Sequence, residues 1–159
     1  MSRDLFTTWS DYQQAAWQVI GLAASHLEIY DQDLAWLKLD APAQITQIER
    51  LLRSPGNGMR LSLIVRDATL LLNQHPRLLQ LMETYSHVCA VQQSGPELAH
   101  LRDSLLIADR EHAVIRFETN QPRCKLLIDE PGEIRGYGGR FDEIRMQSGE
   151  AIRRSTLGL

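Results

Sequence analysis

The side chains able to do chemistry are scattered along the chain. Five histidines, His26, His75, His87, His100 and His112, occur without a His-x-x-x-His pair. His75 opens a helix-like stretch, where it would meet either a substrate anion or solvent. His87 and Cys89 stand two apart and would share one face of a strand, but two ligands do not complete a metal site. Cys89 and Cys124 form no Cys-x-x-Cys pair and read as reduced thiols. No Gly-x-Ser-x-Gly nucleophile elbow is present. The segment Arg135-Gly136-Tyr137-Gly138-Gly139-Arg140 could offer backbone N–H groups to a phosphate. It fails the dinucleotide pattern because Phe141 stands where the third glycine belongs, and it lacks the Gly-Lys-Ser/Thr ending of a Walker loop. What is left is a flexible loop ahead of a helix. Asp31/Asp33 and Asp129/Glu130 read as caps and turns rather than acid–base dyads. Among the arginines, Arg60 and Arg66 flank one strand and Arg116 sits in another. Arg135, Arg140, Arg145, Arg153 and Arg154 crowd the last quarter, as an anion-binding patch or as partners of Glu133, Asp142, Glu143 and Glu150.

Composition limits the class. A chain of 159 residues, 43% hydrophobic, suits one globular domain spanning residues 1–159. The net charge of −3 gives no global pull toward nucleic acid or an anionic membrane. No stretch is apolar for long enough to span a bilayer, and no secretory signal opens the chain. A cytoplasmic location without membrane insertion is expected.

Periodicity predicts the elements that must position these residues. Ser10 and Gln13 have capping-box spacing ahead of a helix over about residues 10–24. His26–Tyr30 reads as a short strand and Asp31–Leu39 as a helical turn. Asp40 is the expected N-cap of a helix carrying Pro42, Ile45, Ile48, Leu51 and Leu52. Met59–Val65 reads as a strand, and Ala68–Tyr85 as helix with a fresh start near His75, ahead of Pro76. His87–Val91 is the next strand, and Ser94-Gly95-Pro96 leads into a short helix. Ser104–Asp109 and Ala113–Phe117 suit a hairpin, Cys124–Asp129 a strand, and Phe141–Gln147 a final helix with the glycines left outside. Alternating α and β early and a hairpin late predict a mixed α/β sheet with helices on both faces.

The run Leu101-Arg102-Asp103-Ser104-Leu105-Leu106-Ile107-Ala108-Asp109, followed by Ala113-Val114-Ile115, resembles the core of the phospholipase D superfamily. That superfamily carries His-x-Lys-x-x-x-x-Asp, in which the histidine attacks a phosphodiester and the lysine stabilises the anionic oxygens. Aligned on Asp109, Arg102 stands at the histidine position and Ser104 at the lysine position, and neither does that chemistry. His100 lies two residues early. More broadly, Glu28-Ile29-Tyr30-Asp31 with Leu34, Arg60–Asp67, His75-Pro76-Arg77-Leu78, Ala108-Asp109 and Phe141–Ser148 resemble a bacterial domain of unknown function. That domain is often fused behind acetyltransferase domains and is phospholipase D-like in fold, without an intact catalytic motif.

The resemblance implies a non-catalytic phospholipase D-like domain that binds an anionic small molecule, nucleic acid or a protein partner, with homodimer pairing and no cofactor or metal. Any surviving pocket would use Arg102, Ser104, Asp109 and Arg116, with His75 and His100 nearby. An altered phosphodiesterase or nuclease would need His100 as nucleophile. A pure interaction module would use an apolar patch on the first helix, through Trp9 and Trp17.

Overall fold

The computed structural model describes residues 1–149, 151 and 152. Seven strands form one mixed sheet: β1 Ser2–Phe6, β2 Leu27–Asp31, β3 Leu61–Val65, β4 Cys89–Gln93, β5 Ser104–Ala108, β6 His112–Arg116 and β7 Cys124–Ile128. Their order is β1-β7-β6-β5-β2-β3-β4. β2, β3 and β4 run parallel, and every other pairing is antiparallel. β2, β3 and β5 are buried along their whole length. That is why β3 and β5 read as mostly apolar runs, whereas β2 buries the carboxylates of Glu28 and Asp31 among its apolar residues.

Five helices cover the two faces: α1 Trp9–Leu22, α2 Pro42–Leu52, α3 Thr69–Gln74, α4 Pro76–Thr84 and α5 Pro131–Gln147. One core joins α1 to α4 to the sheet through residues such as Val19, Ile48, Leu78, Ile29, Leu63, Leu106 and Val114. The opposite core seats Ile134, Phe141 and Ile144 of α5 on Tyr30, Ile64, Leu105, Ile107 and Ile115. The mixed α/β sheet with helices on both faces is therefore present. No helix among the described residues is long and apolar enough to cross a membrane.

Several local readings need correction. α1 starts at Trp9, one residue before Ser10, and its cap is Thr8, whose Oγ1 accepts the Asp11 N–H at 3.1 Å. Asp40 does not cap α2. Its Oδ1 accepts the Leu78 N–H at 2.8 Å, filling a first-turn donor of α4 whose own cap residue, His75, makes no side-chain capping bond. Residues Ser86–Val88 form a 3-10 turn, so His87 and Cys89 do not share a strand face. The short helix after Ser94 is a single 3-10 turn, Pro96–Leu98. Pairing of β1 with β7 has no apolar signature, because its side chains are nearly all exposed and it is held mainly by the ladder, with Phe6 on the core and Arg3 against Glu133.

The glycine segment is helix rather than loop. α5 begins at Pro131, a residue pre-set for a first helical turn, and runs through Gly136, Gly138 and Gly139. The buried anchors Ile134, Phe141 and Ile144 flank the glycines at helical spacing and outweigh a cost of about 1 kcal/mol per glycine. Gly138 is buried against the guanidinium of Arg110, and a Cβ there would collide with it. Gly136 and Gly139 face open space. Gly136→Ala and Gly139→Ala should each raise stability by roughly 0.5–1 kcal/mol in urea unfolding. Gly138→Ala should lose that gain or destabilise; equal gains at all three positions would contradict this packing.

Candidate functional site

The antiparallel register brings the last residue of β2, the first of β5 and the last of β6 to one end of the sheet. These residues are Asp31, Ser104 and Arg116, all buried. Each points to the α1 face, in step with Ile29, Leu106 and Val114. Ser104 Oγ donates to Asp31 Oδ1 at 2.5 Å, and Arg116 Nη2 donates to the same oxygen at 3.0 Å and to Ser104 Oγ at 3.1 Å. Arg116 Nη1 donates to the carbonyls of Glu118 and Thr119 at 2.9 and 2.6 Å. The guanidinium also lies against two rings of α1, 5.2 Å from the Trp9 centroid and 5.0 Å from that of Tyr12.

This arrangement is closed rather than reactive. Arg116 is only 2% exposed, and its terminal nitrogens are used by protein acceptors. Ser104 has a carboxylate beside it, but the Asp31 oxygen that accepts its hydroxyl is also bonded to Arg116. Burial and then the Asp31 charge push the Tyr12 phenol up, so it stays protonated. Burial also pushes both the Cys89 and the Cys124 thiol up to about 11, which removes a thiolate nucleophile near neutral pH.

Asp31 does more than hold Arg116. Its Oδ2 accepts the Leu34 N–H at 2.8 Å, at the start of a loop in which Leu34 and Lys38 both take left-handed φ, 70° and 51°. Leu34, Leu37 and Leu39 bury beneath this loop, and Trp36 projects from it, 40% exposed. Trp36 stacks on Trp9 with centroids 3.9 Å apart and planes 10° from parallel.

The other anticipated residues separate. Arg102 is exposed at the same end and pairs with Glu118 at 2.6 Å. His100 is exposed in the connection leading to β5. His75 meets neither solvent nor an anion: it is buried at the α3–α4 junction, with Nδ1 3.2 Å from the Leu70 carbonyl. Asp109 lies at the far end of β5, so it does not join Ser104 and Arg116. Its carboxylate accepts the N–H groups of Ala24, Ser25 and His26 at 2.8–2.9 Å, tying the hairpin to the entry of β2. Beside it, Arg110 grips Glu28 through two bonds of 2.6 and 2.7 Å and reaches Asp142 at 2.9 Å.

Of the expected arginine patch, the described residues show Arg140 and Arg145 paired and Arg135 exposed, and the arginines of the strands are engaged as well. Arg60 is buried and donates to the carbonyls of Ser25 and Pro55. Arg66 donates to Gln32, Leu101, Asp103 and Thr119 and lies 5.0 Å from the Tyr30 ring. Arg140 pairs with Asp103, and Arg145 with Asp142, while Glu133 takes Lys125 and Arg3. Arg153, Arg154 and Glu150 lie outside the described residues. Trp17 is partly buried and donates Nε1–H to the Leu37 carbonyl, so it offers no apolar patch. The residue that the sequence reading missed is Asp31: a carboxylate ending the apolar strand Leu27–Tyr30 was its only signal.

With this geometry in view, the chain matches the family described as a domain of unknown function, DUF7931, over residues 8–153. The chain belongs to that family. No curated protein matches the sequence. Among solved structures, the DUF7931 chain is similar to TrmBL2, an archaeal chromatin protein with a novel mode of DNA binding. The TM-score is 0.69 at 11% identity, covering 96% of this chain and 54% of TrmBL2, so the chain spans about half of that protein. It is similar over nearly full length to Nuc from Salmonella typhimurium, a phospholipase D family member, with TM-score 0.61, 10% identity and coverage of 96% and 98%. NucT from Helicobacter pylori gives TM-score 0.58, 11% identity and coverage of 94% and 98%. The fold is phospholipase D-like.

Two outcomes follow for this DUF7931 chain. Arg116→Met or Asp31→Asn alone should destabilise by about 3–5 kcal/mol, because each leaves a buried charge or lone pairs unmatched. The double variant should cost clearly less than the sum in a double-mutant cycle; simple additivity would show that the cluster is not a unit. At the other end, burial raises the Asp109 pKa, but the Ala24, His26 and Ser25 N–H groups outweigh burial and hold it below the usual carboxylate range. A depressed folded pKa gives stability that is present above the unfolded value of about 3.9 and lost as pH falls through the folded value. The stability gap between the wild type and Asp109→Asn should therefore shrink on acidification below about pH 4. A pH-independent gap in urea unfolding would contradict it.

Proposed function

We propose that this DUF7931 domain is a non-catalytic, phospholipase D-like binding domain whose ligand is single-stranded nucleic acid. One observation carries the non-catalytic part. Aligned on Asp109, the superfamily lysine position holds Ser104, which is buried in an ion-paired cluster with Asp31 and Arg116. The aligned nucleophile position holds Arg102, an arginine paired with Glu118 and chemically unable to attack phosphorus. The degenerate motif is thus filled in by protein side chains.

The rim of that closed site supports the ligand class. Trp36, Phe117, Arg102 and Arg123 are exposed around the same end of the sheet, and Arg123 lies 5.7 Å from the Phe117 ring. Exposed arginines with aromatic rings suit a charged backbone with stackable bases. The DNA binding recorded for TrmBL2, on the same fold, supports this reading. The net charge of −3 sets its scale: attraction is local, so binding is modest and strongly salt-dependent. The resemblance adds homodimer pairing, which light scattering would report as twice 18.1 kDa, and a mass of one chain would remove.

The test combines turnover with binding. The purified chain should leave bis(p-nitrophenyl) phosphate and single-stranded DNA intact. It should bind fluorescent oligothymidylate with a dissociation constant of about 1–100 μM, weakening steeply as salt rises. Arg102→Glu with Arg123→Glu should weaken binding several-fold. Hydrolysis that His100→Ala abolishes would overturn the non-catalytic reading and establish an altered phosphodiesterase. Absence of binding at millimolar oligonucleotide would overturn the nucleic-acid reading in favour of a protein partner.

A further inference from the structure

We infer that Trp36 is a preformed stacking platform for one base of that single strand. The inference rests on the nucleic-acid reading above and assigns the residue that would read the base. Its physical basis is the order of groups beneath the ring. Arg116, Trp9 and Trp36 form successive layers: the guanidinium lies 5.2 Å from the Trp9 centroid, and the Trp9 and Trp36 rings are nearly parallel 3.9 Å apart. One face of the Trp36 ring is therefore spent on Trp9, and the residue is still 40% exposed.

The backbone holds this ring in place with unusual firmness for a loop. Gln13 Nε2 donates to the Trp36 carbonyl at 2.8 Å, and Trp17 Nε1 donates to the next carbonyl, that of Leu37, at 2.8 Å. The Asp33 carboxylate accepts the Ala35 N–H at 3.0 Å, and the Asp31 carboxylate accepts the Leu34 N–H. Left-handed φ at Leu34 and Lys38 brackets the ring. A branched or long side chain in that region costs about 1–2 kcal/mol and persists only where its surroundings over-determine it. An exposed ring fixed in advance loses little entropy when a second ring settles on it.

The chemistry of the guest follows. One flat surface suits a flat partner; a quaternary ammonium is instead gripped by several rings. The buried Arg116 charge behind Trp9 draws on the negative ring faces that a cationic guest would need. A neutral, planar base on a polyanionic backbone fits both facts. Lys38, exposed and two residues from the ring, supplies positive charge for the flanking phosphates, Arg102 adds to it by exchanging its Glu118 partner for phosphate, and Asp11, exposed in the first turn of α1, opposes them.

The experiment compares oligothymidylate with an abasic strand of equal length on the wild type, Trp36→Leu and Trp36→Phe. The wild type should bind oligothymidylate about five-fold or more tighter than the abasic strand, with quenching of tryptophan emission. Trp36→Leu should bind both strands at the abasic level, and Trp36→Phe should keep most of the preference. Equal binding of the two strands by the wild type would overturn the platform and leave the nucleic-acid reading standing. So would oligothymidylate binding by Trp36→Leu at wild-type strength, or a Trp36→Phe variant that behaves as Trp36→Leu. Absence of binding by either strand would overturn both. A preference for proline-rich or aromatic peptides over oligonucleotide would overturn it in favour of a protein guest.

Discussion

The two oxygens of the Asp31 carboxylate connect the closed interior of this domain to its exposed rim. Oδ1 neutralises Arg116 and takes the Ser104 hydroxyl; Oδ2 fixes the loop that carries Trp36. A buried guanidinium without a counter-charge would cost several kcal/mol, so the carboxylate is a condition for folding this end of the sheet rather than an addition to it. β2 is an interior strand, between β3 and β5, and Asp31 is fixed by its pairing with Val65 and by the pairing of its neighbour Tyr30 with Leu105. The cluster inherits that rigidity.

The opposite end of the sheet repeats the device for a different purpose. Asp109 satisfies the backbone donors of the α1–β2 connection, and Arg110 joins Glu28 of β2 to Asp142 of α5. β2 thus carries one buried carboxylate for each face: Asp31 toward α1 and Glu28 toward α5. The two ion-paired ends lock the helices of both layers to the strand between them. Arginine serves in each as a multi-donor staple that closes loops, which explains why a chain rich in arginine presents few free ones.

Much of this architecture was legible in the amino-acid sequence. Buried strands announced themselves by apolar spacing, Leu61, Leu63 and Val65 on one face in one case and the run Leu105–Ala108 in another, and the hairpin by Asp109 and its neighbours. The failures have specific physical causes. β1 is held mainly by backbone ladder bonds and leaves four of its five side chains exposed, so it carries no apolar pattern. α5 hides behind glycines whose helical cost is offset by Ile134, Phe141 and Ile144. Asp40 and Asp31 both looked local, as a cap and a turn, yet each also bonds a group far along the chain, Leu78 in one case and Ser104 with Arg116 in the other. Ser104 and Arg116, both singled out in the sequence, do meet, but their partner was not anticipated, because strand register and not spacing brings Asp31 to them.

The proposal turns on two points: the position aligned with the superfamily's lysine is sealed by Asp31, Ser104 and Arg116, and binding takes place at the rim. Side-chain NMR during an oligothymidylate titration tests it most directly, by following the Arg116 Nε–H and the Trp36 indole N–H together. The account predicts that the Trp36 resonance shifts progressively while the Arg116 resonance stays in place and protected from solvent exchange. An Arg116 resonance that moves with ligand, or exchanges freely with water, would show an open anion pocket and contradict the account.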